Sequence, residues 1–343
     1  MKYPKFLEEN GTIGFVAPSF GCATEPYKSA FDNALKKFSQ MGYSTELGPN
    51  CYAGNGVGIS NTPKACAEEL TEYYCNESSD ILLSCGGGEL MCETMSEVDF
   101  DKLAKAEPKW YAGYSDNTNM TFLLTTILDT ASVYGPCAAA FGQEPWHESL
   151  NDLMGVLKGE VTSVHNYDKW EIKGLKDEEH PLLPYNCTED AAIRAWNNGY
   201  VNEVKMSGRL IGGCLDCLSM ICGTRFDKVS EFVDRYKEDG FIWAIESCML
   251  DTFSMRRVMW QLLEAGWFKY CKGMIVGRPD RYGLVEMGLN QYEAMITTAQ
   301  KLGVPMIMDA DIGHRPPAMP LVLGSYVDVT YSDGKLKVDM DYR

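Results

Sequence analysis

The sequence has no apolar run that reaches the roughly 18 residues of a membrane-crossing helix, which excludes a helical span and leaves no membrane partner to expect. It opens Met1-Lys2-Tyr3-Pro4-Lys5-Phe6, without the apolar centre of an export signal, so the expected location is cytoplasmic. Basic residues are outnumbered, 31 against 48 acidic ones, for a net charge of −17. Binding a phosphate backbone needs clustered Lys and Arg, so nucleic acid is excluded as a partner, whereas a small anion held at one local site is not. Internal repeats and low-complexity segments are absent. Thirteen cysteines are an odd number in a long chain and form no recognisable disulfide framework. In a reducing compartment they read as small buried apolar residues. Cys214-x-x-Cys217, with Cys222 nearby, lacks a second Cys or His pair at zinc spacing, so no metal or cofactor is expected.

A chain of 343 residues suggests about two domains, and 45% hydrophobic residues supply an ample core. Thr12 to Ala17 reads as a buried strand, and Tyr27 to Met41 has helical spacing and a stop at Gly42. Tyr43 to Leu47 is a second strand, Lys64 to Tyr74 a second helix, and Asp80 to Ser84 a third strand. That alternation is the grammar of an α/β fold with a parallel sheet. From about Glu148 to Val204 the pattern weakens into a connection with short strands. Its Trp170, Tyr185 and Trp196 read either as packed side chains or as stacking surfaces for a ligand. Beyond it lie strands at Gly208 to Gly213, Phe241 to Ile245, Gly273 to Gly277 and Val304 to Met308. Helices follow at Leu215 to Cys222 and Thr252 to Ala265. Ser325 to Val338 alternates like paired edge strands around Ser332-Asp333-Gly334. The expected division is a nucleophile domain over 1–155, a connecting segment over 156–204 and a C-terminal domain over 205–343.

In parallel sheets, ligands gather at the carboxyl ends of strands, and two stretches fall there. Gly86-Gly87-Gly88 follows the third strand but lacks the Gly-Lys-Ser/Thr of a phosphate loop and the spacing of a dinucleotide fingerprint. It remains a tight turn, a phosphate cradle, or a place where bare backbone N–H groups meet an oxyanion. Gly113-Tyr114-Ser115-Asp116 lies between the charged Asp99 to Lys109 and the apolar Met120 to Leu128. Ser115 there is either a helix N-cap or a nucleophile at a strand-to-helix turn. Of only four histidines, His147, His165, His180 and His314, the last follows Gly313 in a loop after an apolar strand, where a catalytic base needs to be. Glu246 closes the apolar run Phe241 to Ile245, and a buried carboxylate there needs a partner such as a histidine N–H. Ser115, Glu246 and His314 thus form one candidate triad, although the pattern alone allows other pairings.

These pieces together resemble the S66 serine peptidases, the family of LD-carboxypeptidases and microcin C immunity proteins. The match runs in order through Val16-Ala17-Pro18-Ser19, the glycine loop after Ile81-Leu82-Leu83, Gly113-Tyr114-Ser115-Asp116 and Tyr134-Gly135-Pro136. It continues through Gly208-Arg209-Leu210-Ile211-Gly212-Gly213, Ala244-Ile245-Glu246, and Gly313-His314 with Pro320-Leu321 and Gly324. The resemblance implies a Rossmann-like, parallel-sheet N-terminal domain carrying the serine, and a smaller mixed α/β C-terminal domain carrying Glu and His. It implies Ser115 as nucleophile, His314 as general base, Glu246 as its orienting carboxylate, and backbone N–H groups of Gly87 and Asp116 as oxyanion hole. It implies no metal, and a homodimer. Cys85, Cys66 and Ser247 stand where many relatives have Arg, Arg and Asp, which touches substrate detail but no triad member.

The implied activity is that of a serine carboxypeptidase forming an acyl-enzyme. The bond cleaved is either the LD-peptide bond of a murein peptide or the amide of a peptidyl or aminoacyl nucleotide. Length, the long middle segment and Asn117 to Thr126 lean toward the immunity-protein branch. A substrate carboxylate needs a local cation or helix N-terminus. Arg209, Arg256 and Arg278 could supply it, but each reads first as a structural ion pair, and none is assigned. The reading from another class is a non-catalytic small-molecule binding protein on the same α/β scaffold.

Overall fold

Two sheets organise the chain in the computed structural model, which describes all residues from Met1 to Arg343. The first has six strands in the order Leu321–Leu323, Ser132–Tyr134, Trp110–Gly113, Ile81–Ser84, Thr12–Val16 and Ser44–Leu47. All its pairings are parallel except the outer one, where Leu321 lies opposite Tyr134 in antiparallel register. Strand order reverses at Thr12–Val16, so the loops after Val16 and Ser84 leave a crevice between them, the usual ligand position in such sheets. The second sheet has nine strands and is mixed. At its centre Glu203–Cys214, Phe241–Glu246, Cys271–Gly277 and Met306–Ala310 run parallel, and the carboxyl ends of these strands lead into the residues of the site.

The helix that follows Ser115 holds the halves together. Thr118–Thr126 is buried along its whole length, which is why its sequence shows no polar face. Its threonines are accommodated by bonding back to the preceding turn, Thr121 to the Asn117 carbonyl, Thr125 to Thr121 and Thr126 to Phe122. Phe122 stacks on Trp267 at 5.3 Å, and Thr118 Oγ1 accepts from the Cys214 N–H at 3.0 Å. The Thr118–Thr126 helix is therefore wedged against the second sheet.

Several local expectations need correction. The segment after Glu148 begins with a helix, Glu148–Leu157, whose Leu150, Leu153, Met154 and Leu157 are buried at helical spacing. The terminal hairpin Tyr326–Ser332 and Lys335–Asp341 is present, but it is not an edge. Tyr326–Ser332 pairs with Glu203–Cys214, and Ser163–His165 covers the outer side of Lys335–Asp341. The charged stretch before Trp110 contains a short helix, Phe100–Lys105, capped by Asp99. No helix is long and apolar enough to cross a membrane.

Candidate active site

Ser115 sits two residues past a buried strand, Trp110–Gly113, and opens a short 3-10 turn, Ser115–Asn117, that runs into the Thr118–Thr126 helix. Its φ is +65°, a left-handed value that a residue with a Cβ adopts at a cost of about 1–3 kcal/mol. The turn is held from all sides. Asp116 accepts from Ser19 Oγ at 2.5 Å, from the Met91 N–H at 2.9 Å and from Asn119 Nδ2 at 3.0 Å. Asn117 Nδ2 donates to the Gly86 carbonyl at 2.8 Å, tying the glycine loop to the serine turn. The Ser115 N–H donates to the Tyr134 hydroxyl at 3.2 Å.

The Ser115 hydroxyl caps no helix. It lies 2.8 Å from His314 Nε2, and His314 Nδ1 lies 2.8 Å from Glu246 Oε2. With the carboxylate facing Nδ1, the neutral imidazole carries its proton there and leaves Nε2 free to accept. Glu246 is buried and satisfied at both oxygens, since Tyr134 donates to Oε1 at 2.6 Å. Burial works against its charge, but the His314 imidazolium and the hydrogen bonds outweigh it and hold its pKa below the usual carboxylate value. Burial likewise disfavours the His314 cation, and the Glu246 charge overcomes it, so the histidine pKa lies well above its ordinary value. Gly313 makes the approach possible: at φ +94° a Cβ there would meet the Glu246 side chain at 2.5 Å.

Gly87 stands against the serine, where an added Cβ would lie 3.1 Å from Ser115 Oγ. Neither its N–H nor that of Asp116 has an acceptor within the protein. Ser115, Glu246 and His314 are thus brought together, with the Gly87 and Asp116 backbone beside them. The cleft above them has a volume of about 540 Å³ and is walled by Phe20, Tyr27, Met220 and Met249. Of its lining residues none is Lys or Arg. Arg209 is buried against Asp239, Arg278 against Asp311 at 2.5 Å, and Arg256 lines a separate groove beside Trp260. Trp170, Tyr185 and Trp196 do not reach the cleft either. Trp170 packs on Tyr282, Tyr185 on His147, and Trp196 is buried.

Two residues of this site were not singled out from the sequence. Asn117 reads as a first-turn polar residue, and only the turn's geometry directs its amide to Gly86. Tyr134 carries one signal, a polar-tipped side chain closing an apolar strand, which does not say what its hydroxyl meets. Cys248 also lines the cleft.

A fold of two α/β halves that places a serine, a histidine and a glutamate in hydrogen-bonded series defines a hydrolase of serine-peptidase type. The chain belongs to the S66 peptidases: the LD-carboxypeptidase N-terminal domain matches residues 13–135 and the LD-carboxypeptidase C-terminal domain residues 207–329. It is accordingly a serine-type carboxypeptidase. Over 342 residues it is 22% identical to the microcin C7 self-immunity protein MccF of Escherichia coli, covering 98% of this chain and 95% of that one. It is 24% identical over 335 residues to the probable murein peptide carboxypeptidase of Bacillus subtilis, covering 94% and 89%. Its fold matches the solved structure of MccF in complex with glutamyl sulfamoyl guanosine with a TM-score of 0.80, at 21% identity over 98% of each chain.

Proposed function

We propose that Ser115, His314 and Glu246 are the catalytic triad, and that the enzyme hydrolyses the amide joining an aminoacyl or peptidyl group to a nucleotide-like leaving group. The observation that carries the triad is the position of one imidazole, 2.8 Å from the serine hydroxyl on one side and 2.8 Å from a buried carboxylate on the other. His314 Nε2 takes the proton as Ser115 Oγ attacks the carbonyl carbon. The Gly87 and Asp116 N–H groups receive the developing oxyanion, and each such donor is typically worth roughly 3 kcal/mol of barrier. The imidazolium, steadied by Glu246, then protonates the leaving nitrogen. Water, activated by the same histidine, attacks the Ser115 ester and frees the acid.

Two exposed aromatic rings, Phe20 at 43% and Tyr27 at 58%, line the cleft and offer surfaces on which a base can stack. The ligand of the MccF structure, an aminoacyl sulfamoyl nucleoside, belongs to the same chemical class. No Lys or Arg lines the cleft, so none of its side chains offers a permanent cation to a substrate carboxylate. The likeness to the murein peptide carboxypeptidase supplies the competing substrate, an LD-peptide. A panel with an aminoacyl-sulfamoyl adenosine and a murein tetrapeptide separates them. Release of the sulfamoyl nucleoside supports the proposal, and release of D-alanine alone replaces the substrate while keeping the triad. The thirteen cysteines, all unpaired, suit a reducing cytoplasm. Assembly as a homodimer is carried forward from the family resemblance, and sedimentation equilibrium tests it.

A further inference from the structure

One side chain touches both ends of the proposed triad from behind. Tyr134 closes the Ser132–Tyr134 strand of the first sheet and is 2% exposed. Its hydroxyl donates to Glu246 Oε1 at 2.6 Å and accepts from the Ser115 N–H at 3.2 Å. Ser115 and Tyr134 belong to the first sheet's end, Glu246 to the second's, so this oxygen is a direct polar link between the halves that carry nucleophile and base. The backbone of Tyr134 is also held by the segment that follows the His314 loop, since Leu321 pairs with it and Pro320 lies against Gly135. Tyr134 does not line the cleft, so it meets no substrate.

We infer that Tyr134 is a positioning residue for the hydrolysis, fixing the Ser115 turn and the Glu246 carboxylate in one register across the two sheets. A serine held at φ +65° needs its N–H satisfied, and a peptide unit left unpaired in this buried corner would let the turn relax and the hydroxyl move. The Glu246 carboxylate has its remaining oxygen on His314, so a donor on Oε1 sets which way the group faces. The tyrosine can serve as that donor at all working pH values. Burial, with the Glu246 charge beside it, holds its pKa well above the ordinary phenol value. Its bond to the serine N–H also takes that donor out of the oxyanion hole, which leaves Gly87 and Asp116.

The inference rests on the triad reading, and Tyr134→Phe tests it separately. The variant keeps the ring, edge-on to Tyr114 at 6.5 Å, and removes both hydrogen bonds. The expected result is a kcat lower by roughly 10- to 100-fold with KM nearly unchanged, the scale of a hydrogen bond to a charged group. A second readout separates positioning from lost packing. The titratable groups facing this corner are Glu246, His314, Cys214 and Cys248, with Tyr114 against the imidazole. Without the Tyr134 donor, more of the Glu246 charge acts on His314, so the acid limb of the kcat/KM profile moves to higher pH. In the Glu246→Gln background the same substitution no longer moves the acid limb, because no carboxylate charge is left to act on His314. Wild-type kcat in Tyr134→Phe overturns the inference. So does a kcat loss with the acid limb unmoved, in a protein whose circular dichroism and melting temperature match wild type. Retained hydrolysis by Ser115→Ala would instead overturn the triad itself, whatever Tyr134→Phe does.

Discussion

His314 Nε2 lies 2.8 Å from Ser115 Oγ, across 199 positions of sequence and between two different sheets. Everything required of the site follows from keeping that distance. The serine is fixed by a strand end and a buried helix of the first sheet, and the histidine by a loop that packs its glycine against Glu246.

The histidine's raised pKa sets the pH dependence. In the proposed mechanism deprotonated His314 is the form that accepts the serine proton, and although burial disfavours the cation, the Glu246 charge outweighs it and favours the protonated form. The acid limb of kcat/KM is therefore expected above the ordinary histidine value of about 6.5. The linkage has a definite sign as well. Because the folded pKa of His314 is raised, the histidine's contribution to stability is complete below its unfolded value and declines as pH rises through the folded one, whereas that of Glu246, whose pKa is lowered, is lost only as pH falls through its own folded value. A pH profile of kcat/KM with melting curves over the same range checks both. An acid limb at or below 6.5 would contradict the assignment.

Removing the charge from Glu246 tests the same pair from the other side. Glu246→Gln keeps the shape and a hydrogen-bonding oxygen for Tyr134, but it presents no anion to the imidazolium. Turnover is expected to fall by about 100- to 10,000-fold, in the range seen when a triad carboxylate is neutralised. The acid limb of the residual activity shifts down toward the unperturbed histidine value. Circular dichroism of the variant should match wild type. Full turnover would remove Glu246 from the mechanism.

Much of this arrangement is legible in the sequence, and the part that is not has a physical reason. Strand ends marked by glycines, a lone histidine after Gly313 and a carboxylate closing Phe241 to Ile245 are local patterns, and each points to one residue. What joins them is not local. Gly113-Tyr114-Ser115-Asp116 reads equally as a helix cap, and only the three-dimensional fold shows the hydroxyl turned to His314 rather than to a backbone N–H. The Tyr134 hydroxyl meets partners 19 and 112 positions away, beyond any periodicity. The terminal hairpin alternates as an edge would. Its interior place in the sheet depends on Ser163–His165, a three-residue strand too short to announce itself. Glu148–Leu157 is obscured by the charged, aromatic-rich sequence after it, although its apolar spacing is helical.

The glycine loop gives a further test through space alone. In Gly87→Ala the new methyl would lie 3.1 Å from Ser115 Oγ, tighter than an ordinary contact, beside the proposed oxyanion donor. Either the loop or the Ser115 side chain must give by a few tenths of an ångström, and either movement changes how the Gly87 N–H and Ser115 Oγ are placed. A kcat loss of roughly 100-fold is expected, near the value of one oxyanion donor, with little change in melting temperature. Steady-state kinetics and a thermal melt measure the two. Unchanged kcat would take Gly87 out of the oxyanion hole.

The most direct measurement is mass spectrometry of the folded enzyme after reaction with a fluorophosphonate, with the hydrolysis rate of Ser115→Ala measured alongside. The expected result is a single covalent adduct on Ser115 in wild type, none in Ser115→Ala, and loss of hydrolysis in that variant. No adduct on Ser115, together with unaltered hydrolysis by Ser115→Ala, would contradict the triad.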